Sequence, residues 1–376
     1  MSVIIKSVTT KKELNDFVYF ANKMYKGNPY YIPTMAEDDK NVFNPKTNGA
    51  LDFCQCDIFL AYKDDIVVGR VAAILNPVAN EKWGRKSVRF GWLDFIDDIE
   101  VSKALLDTVV SWGKERGCDH IEGPFGFSDM DPEGMLVDGF DQLGTMITFY
   151  HHPYYKEHME KLGYSKVIDW VEYKIDIPKE VPEKHIRVAK LIEEKYGLHV
   201  RHYNRRERKK YNIGMRMAHL VNEAYRDLYG TTPLNEKQMK QYIKFYFGLL
   251  NFEFVPIIVD KNEQIVGFGA TMPSLSKALQ KCNGKLFPFG WIYLLRAMYL
   301  CKTDTVDFLL IAAKDEYRGK GLPSLLFCDL IPRFNKHGFK YCEANPELET
   351  NASVQNLWNS VETSYSKRRR IYGKDI

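Results

Sequence analysis

The stretch Val306–Phe327, VDFLLIAAKDEYRGKGLPSLLF, decides the fold. Its opening, Val306–Ala313, is an apolar run of strand length and composition. A charged turn, Lys314–Tyr317, leads into Arg318-Gly319-Lys320-Gly321. Apolar residues then recur at Leu326, Phe327, Leu330, Ile331 and Phe334 with the 3.6-residue period of a helix. A strand that feeds a glycine loop and then a helix start is an anion site. The glycines let successive amides turn inward with no Cβ in the way. The helix start adds orphan N–H donors and the positive end of its dipole. Arg318 and Lys320 bring further charge, and the expected ligand is a phosphate or pyrophosphate.

The loop lacks GxxxxGK[ST] and lacks the three-glycine dinucleotide fingerprint. RGKG in this setting resembles the coenzyme A pyrophosphate loop of the GNAT acyltransferase superfamily, Arg/Gln-x-x-Gly-x-Gly/Ala. Arg318 and Gly321 match, and Pro323 occupies the last position, where it removes one amide. Downstream, Gly338–Ala344 reads as the next strand. Asn351 then begins a helix with Val354, Leu357, Trp358 and Val361 on one face, extended on that reading to Tyr365. This resembles the superfamily's Asn-x-x-Ala-x-x-Leu-Tyr, with Trp358 in place of the tyrosine. Earlier in the chain, Tyr154–Tyr164 followed by strand-like Val167–Ile177 resembles the closing helix-turn-strand of a GNAT domain. Met159 replaces the usual tyrosine there, and no glycine loop precedes the motif.

Working outward, the order strand, helix, hairpin, strand, helix, strand, helix occurs twice. The first hairpin turns at Lys63-Asp64-Asp65 and the second at Asp260–Glu263. The proline-bearing Ile177–Pro182 serves as linker. The fold expected is α/β with a mixed sheet: two GNAT-like domains, each a mostly antiparallel central sheet flanked by helices. Residues 1–180 form a half that lacks the coenzyme A loop, and residues 181–376 form the acyltransferase half.

The resemblance implies an acetyl-CoA or other acyl-CoA cosubstrate, no metal, and attack of an amine on the thioester. The amine acceptor would be a small molecule or a peptide. Coenzyme-binding residues are expected at Ile311, Ala312 and Ala313 on the strand, at Arg318, Gly319, Lys320, Gly321, Leu322 and Ser324 on the loop and helix start, and at Asn351. Main-chain amides near Ile311–Ala313 would hold the oxyanion. Glu343 and Asp307 are the candidate bases and Tyr365 the candidate acid. The rival class is a non-catalytic acyl-CoA binder of the same fold, and a third reading replaces the donor with a carrier protein or aminoacyl-tRNA.

Composition sets bounds on this. At 376 residues two domains are natural, and a net charge of +4 singles out no partner. Arg205–Lys210 and Lys367–Arg370 read as solvated basic faces, so nucleic-acid binding is not expected. Seven scattered cysteines point to reduced thiols and a cytoplasmic setting. No apolar run reaches the roughly 20 residues that cross a bilayer.

Two stretches stay open. Pro124–Asp141, rich in Gly and Asp, is either a set of turn-forming carboxylates or the cover of a substrate site between the halves. Leu286–Leu300, LFPFGWIYLLRAMYL, is a packed helix, an apolar wall for an acyl chain, or a membrane-surface contact.

Overall fold

The computed structural model describes residues 2–376, apart from the side chain at 360. The strand-length apolar runs assemble into one 14-stranded sheet. Its order from the first edge is Ile4–Ser7, Gln55–Lys63, Ile66–Leu75, Ser87–Phe95, His120–Gly123, Thr363–Asp375, Ser165–Asp176, Tyr341–Ala344, Thr305–Ala313, Ile265–Pro273, Ile257–Val259 and His199–Arg201. All neighbours along this path pair antiparallel except two parallel pairs. These are Ser87–Phe95 with His120–Gly123 and Thr305–Ala313 with Tyr341–Ala344, one in each half. The expected mixed, mostly antiparallel sheet flanked by helices is what forms.

The halves exchange their last strands. Ser165–Asp176 follows the first half's closing helix yet pairs with Tyr341–Ala344 of the second half. The C-terminal strand Thr363–Asp375 inserts between it and His120–Gly123 of the first half. The two sheets are thereby fused into one.

Helices pack on both faces where the apolar period predicts them. Lys11–Met24 starts at a capping box made by Thr10 and Glu13, and it buries Phe17, Val18, Phe20 and Ala21. Ile99–Lys114 buries Val101, Leu105, Leu106 and Val109. Glu183–Tyr196 packs against Pro323–His337, the helix after the glycine loop. In the first half the corresponding helix start carries no glycine loop. The Asp98 carboxylate accepts the amide of Glu100 there, so a side-chain anion already occupies the position a phosphate would take.

The helix expected from Asn351 to Tyr365 is corrected. It is only Ala352–Gln355 with a 3₁₀ turn to Ser360, and the chain then re-enters the sheet. Thr363, Tyr365 and Ile371 suit a strand as well as a helix, and pairing along Ser165–Asp176 decides the outcome. Tyr365 is therefore a strand residue whose hydroxyl donates to Asp138 at 2.8 Å. Five helices escaped the sequence reading: Ala36–Val42, Pro77–Trp83, Arg205–Lys210, Glu236–Leu249 and Ser276–Cys282. Glu236–Leu249 is rich in aromatic and long polar residues, and the capping box of Asn235 and Gln238 was its legible start signal.

Candidate active site

Strand Thr305–Ala313 carries the site because its two edges behave differently. On one side it pairs antiparallel with Ile265–Pro273 as far as Ala313. On the other, parallel pairing with Tyr341–Ala344 ends at Phe308, and the strands part. The Asn345 amide donates to Phe308 O at 3.2 Å, and its side chain donates to Leu309 O at 2.8 Å. Farther along, the Tyr225 hydroxyl donates to Ile311 O at 3.0 Å. Leu309 and Ile311 therefore turn their main-chain polar edge into the gap, as strand alternation requires.

Beyond the gap lies the glycine loop. Asp315–Tyr317 forms one 3₁₀ turn, and the Lys320 amide donates to Tyr317 O at 3.2 Å. Gly319 and Gly321 have φ of +70° and +88°, left-handed values that glycine adopts without strain. Arg318, Gly319 and Lys320 are exposed. Among the described residues, the amides of Gly319, Gly321 and Leu322 have no hydrogen-bond partner. Three main-chain donors at the start of Pro323–His337 are thus left unpaired within the chain, the arrangement that favours an anion. The glycines differ in their second role. A Cβ on Gly321 would come within 2.6 Å of Val188 Cγ1, whereas one on Gly319 would meet open space. Arg318 is held in place by an ion pair to Asp315 at 3.1 Å and by donation to Ala224 O. Ser324 is buried, with its hydroxyl 3.0 Å from His185 Nδ1, so it braces the helix start. Leu322 is core.

The gap opens into a cavity of about 270 Å³ lined by both halves. Phe308–Ile311 form its floor. Met217 and Val221 line it from helix Ile213–Ala224, and Tyr242, Ile243, Tyr246 and Phe247 line it from helix Glu236–Leu249. The latter helix is tied to the first half at its start. Asn235 donates to Gly49 O at 3.1 Å, Lys237 pairs with Asp52 at 2.7 Å, and the hydroxyls of Tyr242 and Ser128 lie 3.0 Å apart.

Four carboxyls break the apolar lining. Glu347 accepts from Trp358 Nε1 at 2.7 Å through one oxygen, while the other is buried without a partner. Burial lifts its pKa to about 7. Asp129, Asp131 and Glu133 of the glycine- and aspartate-rich segment face the cavity from the first half. Burial raises Asp129 and Asp131 to about 6 and Glu133 well above its ordinary value, with Arg89 partly offsetting it in each case. Among the described residues none of the four makes an ion pair, and no three His, Cys, Asp or Glu side chains are placed to hold a metal ion.

The structure places the sequence candidates as follows. Ile311 and Asn351 line the cavity. Ala312 is buried against Phe268, and Ala313 pairs with Gly267. Arg318–Lys320 form the exposed part of the loop, and Gly321 behind them is half-buried. Asp307 and Glu343 sit side by side on adjacent strands outside the cavity lining. Glu343 pairs with Lys367 Nζ at 3.2 Å, and Lys367 also pairs with Glu172 at 3.3 Å. Asp307 is 1% exposed, neither of its carboxylate oxygens has a hydrogen-bond partner among the described residues, and desolvation lifts it to about 7. Tyr365 points to Asp138, away from the gap. Glu347, Tyr225 and the acidic trio line the cavity but were not among the sequence candidates. Nothing local to Glu347 or Tyr225 marks them, whereas the Pro124–Asp141 stretch had drawn notice as a possible cover.

No family model matches the chain. It is 27% identical over 386 aligned positions to Protein YghO of Escherichia coli strain K12, covering 99% of this chain and 95% of that one. It is 26% identical over 376 positions to a bacterial ceramide synthase of Caulobacter vibrioides, covering 98% and 96%. Among solved structures, a tandem GNAT protein from the clavulanic acid biosynthesis pathway matches with a TM-score of 0.56 at 12% identity, covering 100% of this chain and 98% of that one. That likeness extends over both halves and establishes the fold.

Proposed function

For a chain whose fold is a tandem pair of GNAT halves, we propose an acyl-CoA-dependent N-acyltransferase that joins a long acyl chain to the amine of an apolar acceptor. The observation that carries this reading is the continuity of three features. An open loop with free amides sits beside a splayed strand edge, and that edge opens into an apolar cavity with carboxyls in its wall.

On this reading the diphosphate of the donor rests on the Gly319, Gly321 and Leu322 amides, with Lys320 beside them, and the second half, 181–376, carries the coenzyme. The pantetheine arm lies along the exposed edge at Leu309–Ile311. The Ile311 amide donates to the thioester oxygen as it gains charge. The acyl chain enters the cavity between Met217, Val221 and Phe247. The acceptor arrives as an ammonium, drawn to Asp129, Asp131 and Glu133. One proton of the ammonium passes to an ionised carboxylate, Asp129 or Asp131, which frees the nitrogen lone pair, and Glu347 takes a second as that nitrogen attacks the carbonyl carbon. The C–S bond then breaks, and Tyr225 protonates the departing thiolate. Burial raises the Tyr225 pKa, so the phenol keeps its proton until the thiolate forms beside it. The phenol thus stands in for the tyrosine that Trp358 replaces. The products are an amide and free coenzyme A.

The ceramide synthase similarity supports an acceptor of the long-chain base type. The test is thiol release, with product mass, for acetyl-, octanoyl- and palmitoyl-CoA against a long-chain amino alcohol and a short amine. The reading expects palmitoyl transfer to the long-chain base to be the fastest. Binding of every donor with no thiol release would instead favour the non-catalytic binder.

A further inference from the structure

Helix Gly290–Leu300 and the turn before it present an apolar face that none of the described residues covers. The helix buries Gly290, Leu294, Ala297 and Met298 against the second half. Its outward side is apolar too, where a surface helix ordinarily turns polar. Phe287 is 81% exposed, Phe289 68%, Leu300 62% and Tyr299 58%, and Trp291 and Tyr293 join them. Apolar side chains scattered singly need no explanation, but a contiguous aromatic patch marks a contact surface.

The charges around the patch narrow the occupant. From Ile265 to Thr303 the chain holds no Asp or Glu, yet it carries Lys277, Lys281, Lys285, Arg296 and Lys302. Lys277 pairs with Asp304 at 3.1 Å, while the other four have no ion pair among the described residues. A second copy docked through the same patch would set these cations against their own like. An anionic lipid surface complements both the cations and the aromatic side chains, because Trp and Tyr settle at the headgroup level. The helix has 11 residues, about half of what a bilayer crossing takes. It would therefore lie in the interface and not span it. Leu294, Ala297 and Met298 belong to the same core cluster as Met217, Val221 and Phe268, which line the cavity.

We propose that this patch seats the protein on an anionic bilayer surface, with the exposed aromatic side chains in the headgroup layer and the four cations on lipid phosphates. The inference stands on the patch alone and is independent of the catalytic reading. The experiment is cosedimentation of the full chain with phosphatidylcholine vesicles and with vesicles of phosphatidylcholine and phosphatidylglycerol at 7:3. The expected result is binding to the mixed vesicles that weakens as salt is raised. It should fall at least tenfold in a Phe287→Ser/Phe289→Ser variant, and likewise in a Lys281→Glu/Lys285→Glu variant. These side chains are exposed, so an unchanged melting temperature is expected of both variants and confirms that they are folded. The proposal is overturned if the chain ignores mixed vesicles or binds both vesicle types equally. It is likewise overturned if the serine variant only converts a dimer to a monomer in sedimentation while vesicle binding is absent.

Discussion

Replacing Glu347 by Gln keeps the shape of the side chain and the acceptor that Trp358 Nε1 uses at 2.7 Å, but removes the proton-accepting oxygen that lacks a partner. Loss of a positioned base costs about 10²–10⁴-fold, or about 3–5 kcal/mol of barrier. The wild-type kcat/KM should rise tenfold per pH unit up to about pH 7 and then level, because the free base appears as Glu347 ionises near its raised pKa of about 7. The Gln variant should lose that limb. Stability should move the other way. Burial holds the folded-state pKa above the ordinary 4.5, so the native state binds the proton more tightly than the unfolded chain does. This contribution is full below pH 4.5 and is lost as pH rises through 7. At pH 8 the buried charge costs at most about 3 kcal/mol, from a shift of roughly 2.5 units at 1.36 kcal/mol each. The variant should therefore match wild type at pH 4.5 and be more stable at pH 8. Transfer assays and urea melts at both pH values read the two effects. Activity within threefold of wild type, or an unchanged pH limb, would refute the assignment.

The same linkage gives Asp307→Asn a different profile. Its raised pKa of about 7 makes the charged form destabilising above neutrality, so the Asn variant should gain stability at pH 8 by at most about 4 kcal/mol while transfer stays near wild type. A large loss of turnover would instead return Asp307 to the reaction. Tyr225→Phe removes the phenol that donates to Ile311 O. It should lower kcat about 10–100-fold with KM little changed, as expected for a proton donor acting in the transition state.

The glycine loop and its strand were legible because they are local. Spacing, period and the φ freedom of glycine all sit within Val306–Phe334. The alternation of strands and helices placed most of the sheet for the same reason. The exchange of Ser165–Asp176 and Thr363–Asp375 was not legible, because a strand's own residues do not state which half it pairs with. Tyr365 was misassigned to a helix for that reason. Glu347 and Tyr225 meet only through the splay, and Asp129 reaches the cavity from the other half. Their functional character comes from burial between elements far apart in sequence. Asp307 and Glu343 were legible as carboxylates on the right strands, but they face each other where those strands are still paired, before the gap opens beyond Phe308.

The central claim is that open amides in the Arg318–Leu322 loop hold a diphosphate. Gly319→Asp tests it most directly, because position 319 has open space for the side chain while Gly321 does not. Asp also tolerates the left-handed backbone better than most residues. Titration of coenzyme A into wild type and this variant, each with its melting temperature measured, is the decisive measurement. The account predicts an unchanged melting temperature and coenzyme A binding weakened at least tenfold. Equal affinity in the two folded proteins would contradict it.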